Sequence, residues 1–294
     1  MTATAVEVVP KPHASSAATI LRWVAKAPVH LVLAVLGLLW LVPTFGLFIT
    51  SILPQSTLAS SGWWQIFSKP SLATFSNYDA LFHNHGLITA LKTTAYIAVG
   101  NTLIVVVIGA LAGYALAWLE FPGRDWVFIG VIALLVVPLQ MALIPMFRLY
   151  DTFGLFDTVL GIMLFHVAFG LPFAIFLLRN FFVGLPKDIL ESARIDGASE
   201  ARIFFRLILP LGLPAIASLA IFQFLWTWND LSVALTFGQN VQPITVWIFG
   251  QLREFGTSID VIAPASFISL IIPLAVFFSF QRYFVQGLLA GSVK

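Results

Sequence analysis

Long apolar runs alternate with short polar connections along this chain. Six runs are long enough to cross a bilayer as helices, because about 20 apolar residues span its hydrocarbon core. The runs cover residues 28–53, 93–119, 126–147, 158–178, 209–228 and 262–284. Each is continuous and longer than a barrel strand, so the pattern predicts an all-α integral membrane protein with six transmembrane helices. The more polar residues 1–27 are predicted to form an N-terminal tail, and residues 28–294 the transmembrane domain.

The basic residues of the connections predict the orientation of the chain. Lys and Arg accumulate on the cytoplasmic side of membrane proteins. With the N-terminus inside, 11 of the 15 basic residues lie in cytoplasmic segments. The four on the outer side are Lys69, Lys92, Arg148 and Arg253. Both termini are therefore predicted to be cytoplasmic.

The outer connection over residues 54–92 is rich in aromatic side chains, including Trp63 and Trp64. Such residues favour the membrane–water interface. The segment SNYDALF (76–82) predicts a short interfacial helix, with Ser76 as its N-cap.

Composition supports the membrane assignment and narrows the chemistry. The chain has 294 residues, of which 60% are hydrophobic and 10% charged, and its mean hydropathy is +0.97. The net charge is only +2 and the basic residues are dispersed, so the sequence does not predict the basic patch of a nucleic-acid-binding protein. The absence of cysteine excludes disulfides and thiol chemistry. His83 and His85 resemble metal ligands, but no third ligand is near them in sequence, so a solvated loop is the favoured interpretation and no metal site is predicted.

Charge is most concentrated in one connection, between the fourth and fifth runs. Residues 191–210 hold six of the 28 formal charges, the sum of 15 basic and 13 acidic residues. These are Glu191, Arg194, Asp196, Glu200, Arg202 and Arg206. Residues 185–210 are called the charged loop below. An ordinary solvated connector is one interpretation, and a surface for a cytoplasmic partner is the other.

The charged loop is predicted to contain two helices. The first covers residues 187–195 and ends at Asp196 and Gly197, since glycine readily adopts the positive φ of a helix end. Ser199 or Asp196 can cap a second helix over residues 200–209.

The charged loop resembles the cytoplasmic loop of permease subunits of bacterial ABC importers. The matching positions are Glu191, Ala193, Asp196, Gly197, Ala198, Ile208, Leu209 and Pro210, and Ser192 departs from the usual alanine. The resemblance implies that eight of these nine residues, all except Ile208, belong to a coupling helix and its flanks, which dock on an ATPase subunit.

The resemblance covers nearly the whole chain. The segments VPLQMALIPMF (137–147), FGLPFAIFLLRNFF (169–182), FLWTWNDL (224–231) and QRYFVQGLLAGSVK (281–294) are similar to the second permease of carbohydrate importers of the maltose and α-glucoside type. This implies a multi-pass protein of the bacterial cytoplasmic (inner) membrane that imports a di- or oligosaccharide. The implied partners are a second, non-identical permease, two ATPase subunits, an extracytoplasmic sugar-binding protein and membrane lipid. The resemblance implies no cofactor in this chain, because the ATPase subunits bind ATP and Mg.

Polar residues in the spans are candidates for a translocation pathway. They are Gln140, His166, Gln223, Trp228 and Asn229. Amides and aromatic rings suit a sugar, but the same residue types form interhelical hydrogen bonds, and both interpretations remain open.

The alternative function is a stand-alone ion-coupled secondary carrier. Such carriers use ionisable residues at membrane depth. By the predicted boundaries only His30 and His166 lie inside the spans, apart from Arg282 near the end of the sixth run, which argues against this class. The sequence also lacks a phosphate-binding loop and any constellation of catalytic residues, so an enzyme is not predicted.

One small-residue pattern predicts a close helix crossing. Gly109 and Gly113 form a GxxxG pattern in the second run. The pattern does not say which helix lies opposite.

Overall fold

The computed structural model describes residues 16–255 and 258–290, and within these ranges the chain consists of helices and their connections. The first seven α-helices are α1 (Ser16–Ser51), α2 (Gln55–Ser60), α3 (Ser76–Phe82), α4 (His85–Trp118), α5 (Arg124–Leu134), α6 (Leu139–Thr152) and α7 (Val159–Val183). The next seven are α8 (Lys187–Ile195), α9 (Glu200–Ile203), α10 (Leu209–Leu211), α11 (Leu213–Trp228), α12 (Ser232–Phe237), α13 (Ile244–Phe255) and α14 (Ile259–Ala290). Two 3₁₀ segments, Trp63–Phe67 and Pro70–Leu72, lie between α2 and α3, and a π-helical turn, Phe204–Ile208, joins α9 to α10.

Four helices in the described ranges are individually long and apolar enough to span a membrane: α1 from Lys26, α4, α7 and α14 as far as Arg282. Two bent pairs also qualify when each pair is taken as one span. Counted in this way, the structure has six spans, in agreement with the six apolar runs.

The third run, residues 126–147, is not the continuous helix that its composition predicts. It divides into α5 and α6, which meet at an angle of 99°. Pro138 occupies the N-cap position of α6. Proline has no N–H to continue a helix and pushes the preceding residue, Val137, out of the helical region, which explains the break.

The fifth run, residues 209–228, is also broken. Residues 200–211 and α11 meet at an angle of 74°. The bend lies at Gly212, which has Pro210 on one side and Pro214 on the other. Helix α11 therefore begins at Leu213, four residues after the predicted start.

The first and last helices extend beyond the predicted apolar runs. Helix α1 begins at Ser16, inside the predicted tail, and residues 1–15 and 291–294 lie outside the described residues. Helix α14 contains the whole of the predicted sixth run, residues 262–284.

Helices α4 and α7 pack directly against each other at the GxxxG pattern. A Cβ atom at Gly109 would lie 2.8 Å from the Cβ atom of Ala174. A Cβ atom at Gly113 would lie 3.0 Å from the backbone nitrogen of Arg179. The small residues thus allow α7 to approach α4 closely, as expected for a membrane helix pair.

The hydrophobic core joins α4, α7 and α11 to the charged loop. Leu190, Ile203 and Ile208 of the loop are fully buried together with core residues of these spans. The loop is therefore part of the packed body of the protein.

Helix α3 has the predicted bounds, residues 76–82, but its predicted N-cap is wrong. Ser76 is the first helical residue, and its backbone N–H donates to the Thr74 hydroxyl at 3.2 Å. The nearby Asn84 caps the next helix, α4, because its side-chain oxygen accepts from the N–H groups of Gly86 and Leu87.

Candidate functional site

The first helix of the charged loop, α8, has the predicted bounds and two different faces. Leu190 is fully buried against the membrane helices. Ile195, by contrast, is 85% exposed. On the solvent-exposed face of α8, Lys187 and Glu191 form an ion pair at 3.0 Å. This (i, i+4) contact stabilises the helix by a few tenths of a kcal/mol. One face of α8 thus packs on the spans and the other faces solvent.

The turn after α8 is formed by Asp196 and Gly197, as predicted. The N–H of Ala198 donates to the carbonyl of Ala193, and the N–H of Gly197 donates to that of Arg194, both at 3.0 Å. This pair of hydrogen bonds is a Schellman motif, and Gly197 supplies the positive φ of +74° that the motif requires. Ser199, rather than Asp196, caps α9, since its hydroxyl accepts from the N–H of Arg202.

The predicted second helix, residues 200–209, is irregular. Helix α9 passes into the π-helical turn Phe204–Ile208 and then into α10. Phe204 and Ile208 are buried in the core, whereas Phe205 is exposed.

A charged network joins the charged loop to the end of α4. The Nε atom of Arg194 donates to Glu200 at 2.9 Å, and its Nη2 atom donates to the carbonyl of Trp118 at 3.2 Å. Tyr114 also donates a hydrogen bond to Glu200. The hydrogen bond to Glu200 raises the pKa of Arg194 above its usual range. Trp118 in turn donates to the carbonyl of Phe182 in α7. The charged loop is therefore connected by hydrogen bonds to the end of α4 and, through Trp118, to α7.

The structure divides the eight predicted docking residues into two groups. The solvent-exposed group is Glu191, Ser192, Asp196, Gly197 and Pro210. The other three, Ala193, Ala198 and Leu209, pack against the core cluster. Ile195, an exposed apolar side chain beside the turn, is not among the eight predicted docking residues. Its exposure could have been predicted from its position on α8, because it lies about 140° around the helix axis from the buried Leu190.

A second candidate site lies where the two broken spans meet. A cavity of about 580 Å³ opens between the start of α6 and the end of α11. Its lining residues with polar groups are Gln140, Trp226, Asn229, Asp230 and Ser232. The remaining lining residues, Phe222 and three leucines, are apolar.

Two of the five predicted pathway residues, Gln140 and Asn229, line this cavity. The other three do not. Trp228 is 2% exposed, and its indole N–H donates to the carbonyl of Ser269 in α14 at 3.0 Å. Gln223 is buried in close contact with Gly170 of α7.

His166 lies behind the cavity and contacts its wall. Its side chain is 1% exposed, and its Nε2 atom lies 3.5 Å from Oδ2 of Asp230. Its ring also meets the ring of Trp226 edge to face, with centroids 5.4 Å apart. The sequence pattern does not predict this contact, because His166 and Asp230 are far apart along the chain.

Asp157 joins two connections on the side predicted to be outer. It has a positive φ of 56°, and its Oδ1 atom accepts from the N–H groups of Gln239, Asn240 and Val241 at 2.7 to 3.0 Å. Burial by itself raises the pKa of Asp157, but the hydrogen bonds from Val241, Asn240 and Gln239 outweigh it and lower that pKa. The α6–α7 and α12–α13 connections are thereby held together.

Metal ligands do not cluster within the described ranges. No group of three or more His, Asp or Glu side chains there could hold an ion.

Comparison with known proteins gives one family. A family model described as "binding-protein-dependent transport system inner membrane component" matches residues 105–289. The osmoprotective compounds uptake permease protein of Synechocystis is 46% identical over 92% of this chain and 92% of its own length. The α-glucoside transport system permease protein of Rhizobium meliloti is 48% identical over 77% of this chain, which spans 62% of that relative.

A solved structure has the same fold. It belongs to a bacterial ABC transporter involved in the import of the acidic polysaccharide alginate. The TM-score is 0.73 with 22% sequence identity, and the match covers 93% of this chain and all of the other.

Proposed function

The chain belongs to the family of inner-membrane components of binding-protein-dependent transport systems, and we propose that it is the second permease of an ATP-driven importer of a di- or oligosaccharide. Members of this family are non-catalytic permease subunits, so the alternative of a stand-alone ion-coupled carrier is wrong. The proposed substrate class follows from relatives that are named for α-glucosides, arabinooligosaccharides and trehalose.

The exposed face of the charged loop is the observation on which the proposed coupling role depends. Glu191, Ser192, Asp196 and Gly197 face solvent while Leu190, on the same helix, is buried in the core. An ATPase that binds this face pushes on a packed element. We therefore assign docking to these four residues and Pro210, with Ile195 as an apolar contact, and a supporting role to Ala193, Ala198 and Leu209.

The network around Arg194 supports transmission of that push. Arg194 is bonded to Glu200 and to the end of α4, and α4 packs along α7. Closure of the ATPase pair would move α8, and the two spans would follow because their contacts are direct. The protein would then alternate between inward-open and outward-open packings.

The proposed assembly contains four kinds of protein. They are this permease, a second non-identical permease, two ATPase subunits that bind ATP and Mg, and an extracytoplasmic sugar-binding protein. A related transporter has been solved with an oligosaccharide-bound periplasmic protein, which supports the last of these. We place the complex in the bacterial cytoplasmic membrane with both termini inside. The exposed apolar side chains of α1, such as Leu38 and Trp40, suit contact with lipid.

A pair of glycine substitutions tests the docking role. Gly197→Asp introduces a charge on the exposed turn, where no atom lies within 4 Å of a new Cβ. Gly123→Asp is the matched control, since Gly123 also has a positive φ, of +83°, with the same open space, and lies in the α4–α5 connection. Both variants carry the same backbone strain. Only Gly197→Asp is expected to prevent co-purification of the ATPase subunits and to abolish sugar-stimulated ATP hydrolysis in proteoliposomes.

The docking role is wrong if Gly197→Asp retains both ATPase assembly and stimulated hydrolysis. Loss of both properties in the Gly123→Asp control as well would attribute the effect to strain at glycine turns.

A further inference from the structure

Two arginines on the side of the charged loop are partly buried, Arg124 at the start of α5 and Arg179 near the end of α7. Arg124 has a counter-charge, because its Nε atom pairs with Asp125 at 3.4 Å. Its Nη1 atom also donates to the carbonyl of Leu119 at 3.3 Å. Arg179, by contrast, has no carboxylate within ion-pairing distance in the part of the chain that the structure describes.

Most of the hydrogen-bond donors of Arg179 are unused. A guanidinium group has five N–H donors. The Nη1 atom of Arg179 donates to Oδ1 of the exposed Asn180 at 3.2 Å, whereas its Nε atom is buried without a partner. Its Nη2 atom forms no hydrogen bond with any described residue. The cation therefore lacks both a counter-charge and acceptors for most of its N–H groups.

Aromatic rings hold the guanidinium of Arg179 in place. Its central carbon lies 4.3 Å from the centre of the Phe128 ring in α5, a cation–π contact. The Phe128 ring is stacked on Phe176 of α7, with centroids 6.3 Å apart and planes at 6°. Phe176 precedes Arg179 by three residues, so the rings lie on the side of the cation that faces the membrane interior. Arg179 is thus oriented by the contact between α5 and α7.

The length of α7 places Arg179 at the edge of the hydrocarbon core. The helix has 25 residues and is therefore about 37 Å long. The core is about 30 Å thick, so a centred helix extends about 4 Å beyond it at each end. Arg179 precedes the last residue, Val183, by four positions, or about 6 Å. Its backbone consequently lies at the boundary between acyl chains and lipid headgroups.

Neighbouring side chains of α5 support this depth. Trp126 is 78% exposed, and tryptophan favours the membrane–water interface. Val127 and Ile129 are also exposed and continue the helix towards the membrane interior. These apolar side chains suit contact with acyl chains, whereas an aqueous protein surface would favour polar ones.

We propose that Arg179 binds the phosphate of an anionic phospholipid in the leaflet on the side of the charged loop. An arginine at membrane depth needs a partner for its charge, and basic sites between helices at this side of a membrane bind lipid headgroups. Arginine N–H groups match phosphate oxygens in geometry and charge. The site has a positive charge that no described carboxylate offsets, which favours an anionic headgroup over a zwitterionic one. The proposal does not depend on which solute the protein transports.

The test measures lipid binding to the complete complex with its ATPase subunits. The complex is purified in a mild detergent, depleted of lipid and titrated with dioleoylphosphatidylglycerol or dioleoylphosphatidylcholine, and native mass spectrometry counts the bound lipids. Arg179→Gln should raise the dissociation constant of the tightest phosphatidylglycerol site at least about fivefold and leave phosphatidylcholine binding unchanged. Arg179→Lys keeps the charge and should stay within about twofold of the native complex.

A matched control removes an equal charge elsewhere. Arg148 is exposed near the end of α6 and forms no ion pair with a described residue, so Arg148→Gln should leave phosphatidylglycerol binding unchanged. Size-exclusion chromatography of each variant verifies that the complex is assembled before lipid is added.

Four results would overturn the proposal. Native phosphatidylglycerol binding in Arg179→Gln would show that the site does not exist, and an equal loss in Arg148→Gln would attribute the effect to net charge. A loss in Arg179→Lys as large as in Arg179→Gln would give Arg179 a structural role only. Displacement of the lipid by excess inorganic phosphate would identify a free anion as the ligand. Dissociation of a partner subunit from Arg179→Gln, with lipid binding intact, would identify a protein carboxylate as the partner of Arg179 and likewise contradict the lipid site.

Discussion

The contact between α4 and α7 at Gly109 can be tested by moving one methyl group. Gly109→Ala places a Cβ atom 2.8 Å from the Cβ atom of Ala174, well inside van der Waals contact. The backbone of Ala174 is farther away, with its carbonyl carbon at 3.6 Å and its Cα at 3.8 Å from the new methyl. The clash is therefore with one methyl group, and Ala174→Gly removes that group.

The expected free energies follow from two opposing effects. Overpacking a close-packed contact costs about 1–3 kcal/mol. Alanine favours a helix interior over glycine by about 1 kcal/mol, so Gly109→Ala should lower the free energy of unfolding by about 0–2 kcal/mol. Ala174→Gly alone loses the same propensity of about 1 kcal/mol. In the double variant the propensity changes cancel and the clash is absent, so its stability should return to within about 0.5 kcal/mol of the native chain.

The measurement is unfolding of the purified permease by SDS titration in mixed micelles, followed by circular dichroism. The coupling energy of the double-mutant cycle isolates the clash and should be about 1–3 kcal/mol. Gly37→Ala is the control, because a methyl there meets nothing within 4 Å, so only the helix propensity of about 1 kcal/mol remains and stability should rise by that amount. A coupling energy near zero would refute the close approach of α4 and α7 at this position.

The remaining predictions concern the connections. Glu200→Gln removes the charge that Arg194 pairs with and should lower the free energy of unfolding by about 1 kcal/mol, since the pair is partly exposed; an unchanged SDS midpoint would contradict this. Ser199→Ala should cost about 1 kcal/mol through the lost N-cap, and Ser199→Asp, which also caps, should restore it in the same assay. Asp157→Asn should destabilise the chain at neutral pH, because three backbone N–H groups lose a charged acceptor. The pKa of Asp157 is lowered by folding, so its stabilisation is fully present above the unfolded value of about 4 and declines as the pH falls below it. The difference in stability between native and Asp157→Asn chains should shrink over that acidic range, and a difference independent of pH would contradict the assignment.

Much of the fold could be predicted because its signals are local. The length of each apolar run determines that it can span a bilayer, and the bounds of α3 and α8 agree with the predicted ranges residue for residue. The turn at Gly197 was predictable for the same reason, since it depends on one residue's backbone freedom. The predicted cap at Ser76 was wrong because Ser76 is already the first helical residue, and its hydroxyl accepts from the Thr74 hydroxyl instead of from a helix N–H.

The candidate sites needed the tertiary structure. Sequence alone identified the charged loop, but the exposure of Ile195 and the burial of Ala193 depend on which face of α8 meets the spans. It also identified Gln140 and Asn229 as polar without relating them, because these residues belong to elements far apart along the chain that only the tertiary structure brings to one cavity.

Sequence by itself therefore determined that this protein is a helical membrane protein with one connection rich in charge, since hydropathy and turn chemistry act over a few residues. Only the tertiary structure decided which polar residues pack between helices and which line a cavity. Gln223 lies in the last turns of α11 and Asn229 directly follows its end, yet the first amide is buried in the core and the second lines the cavity.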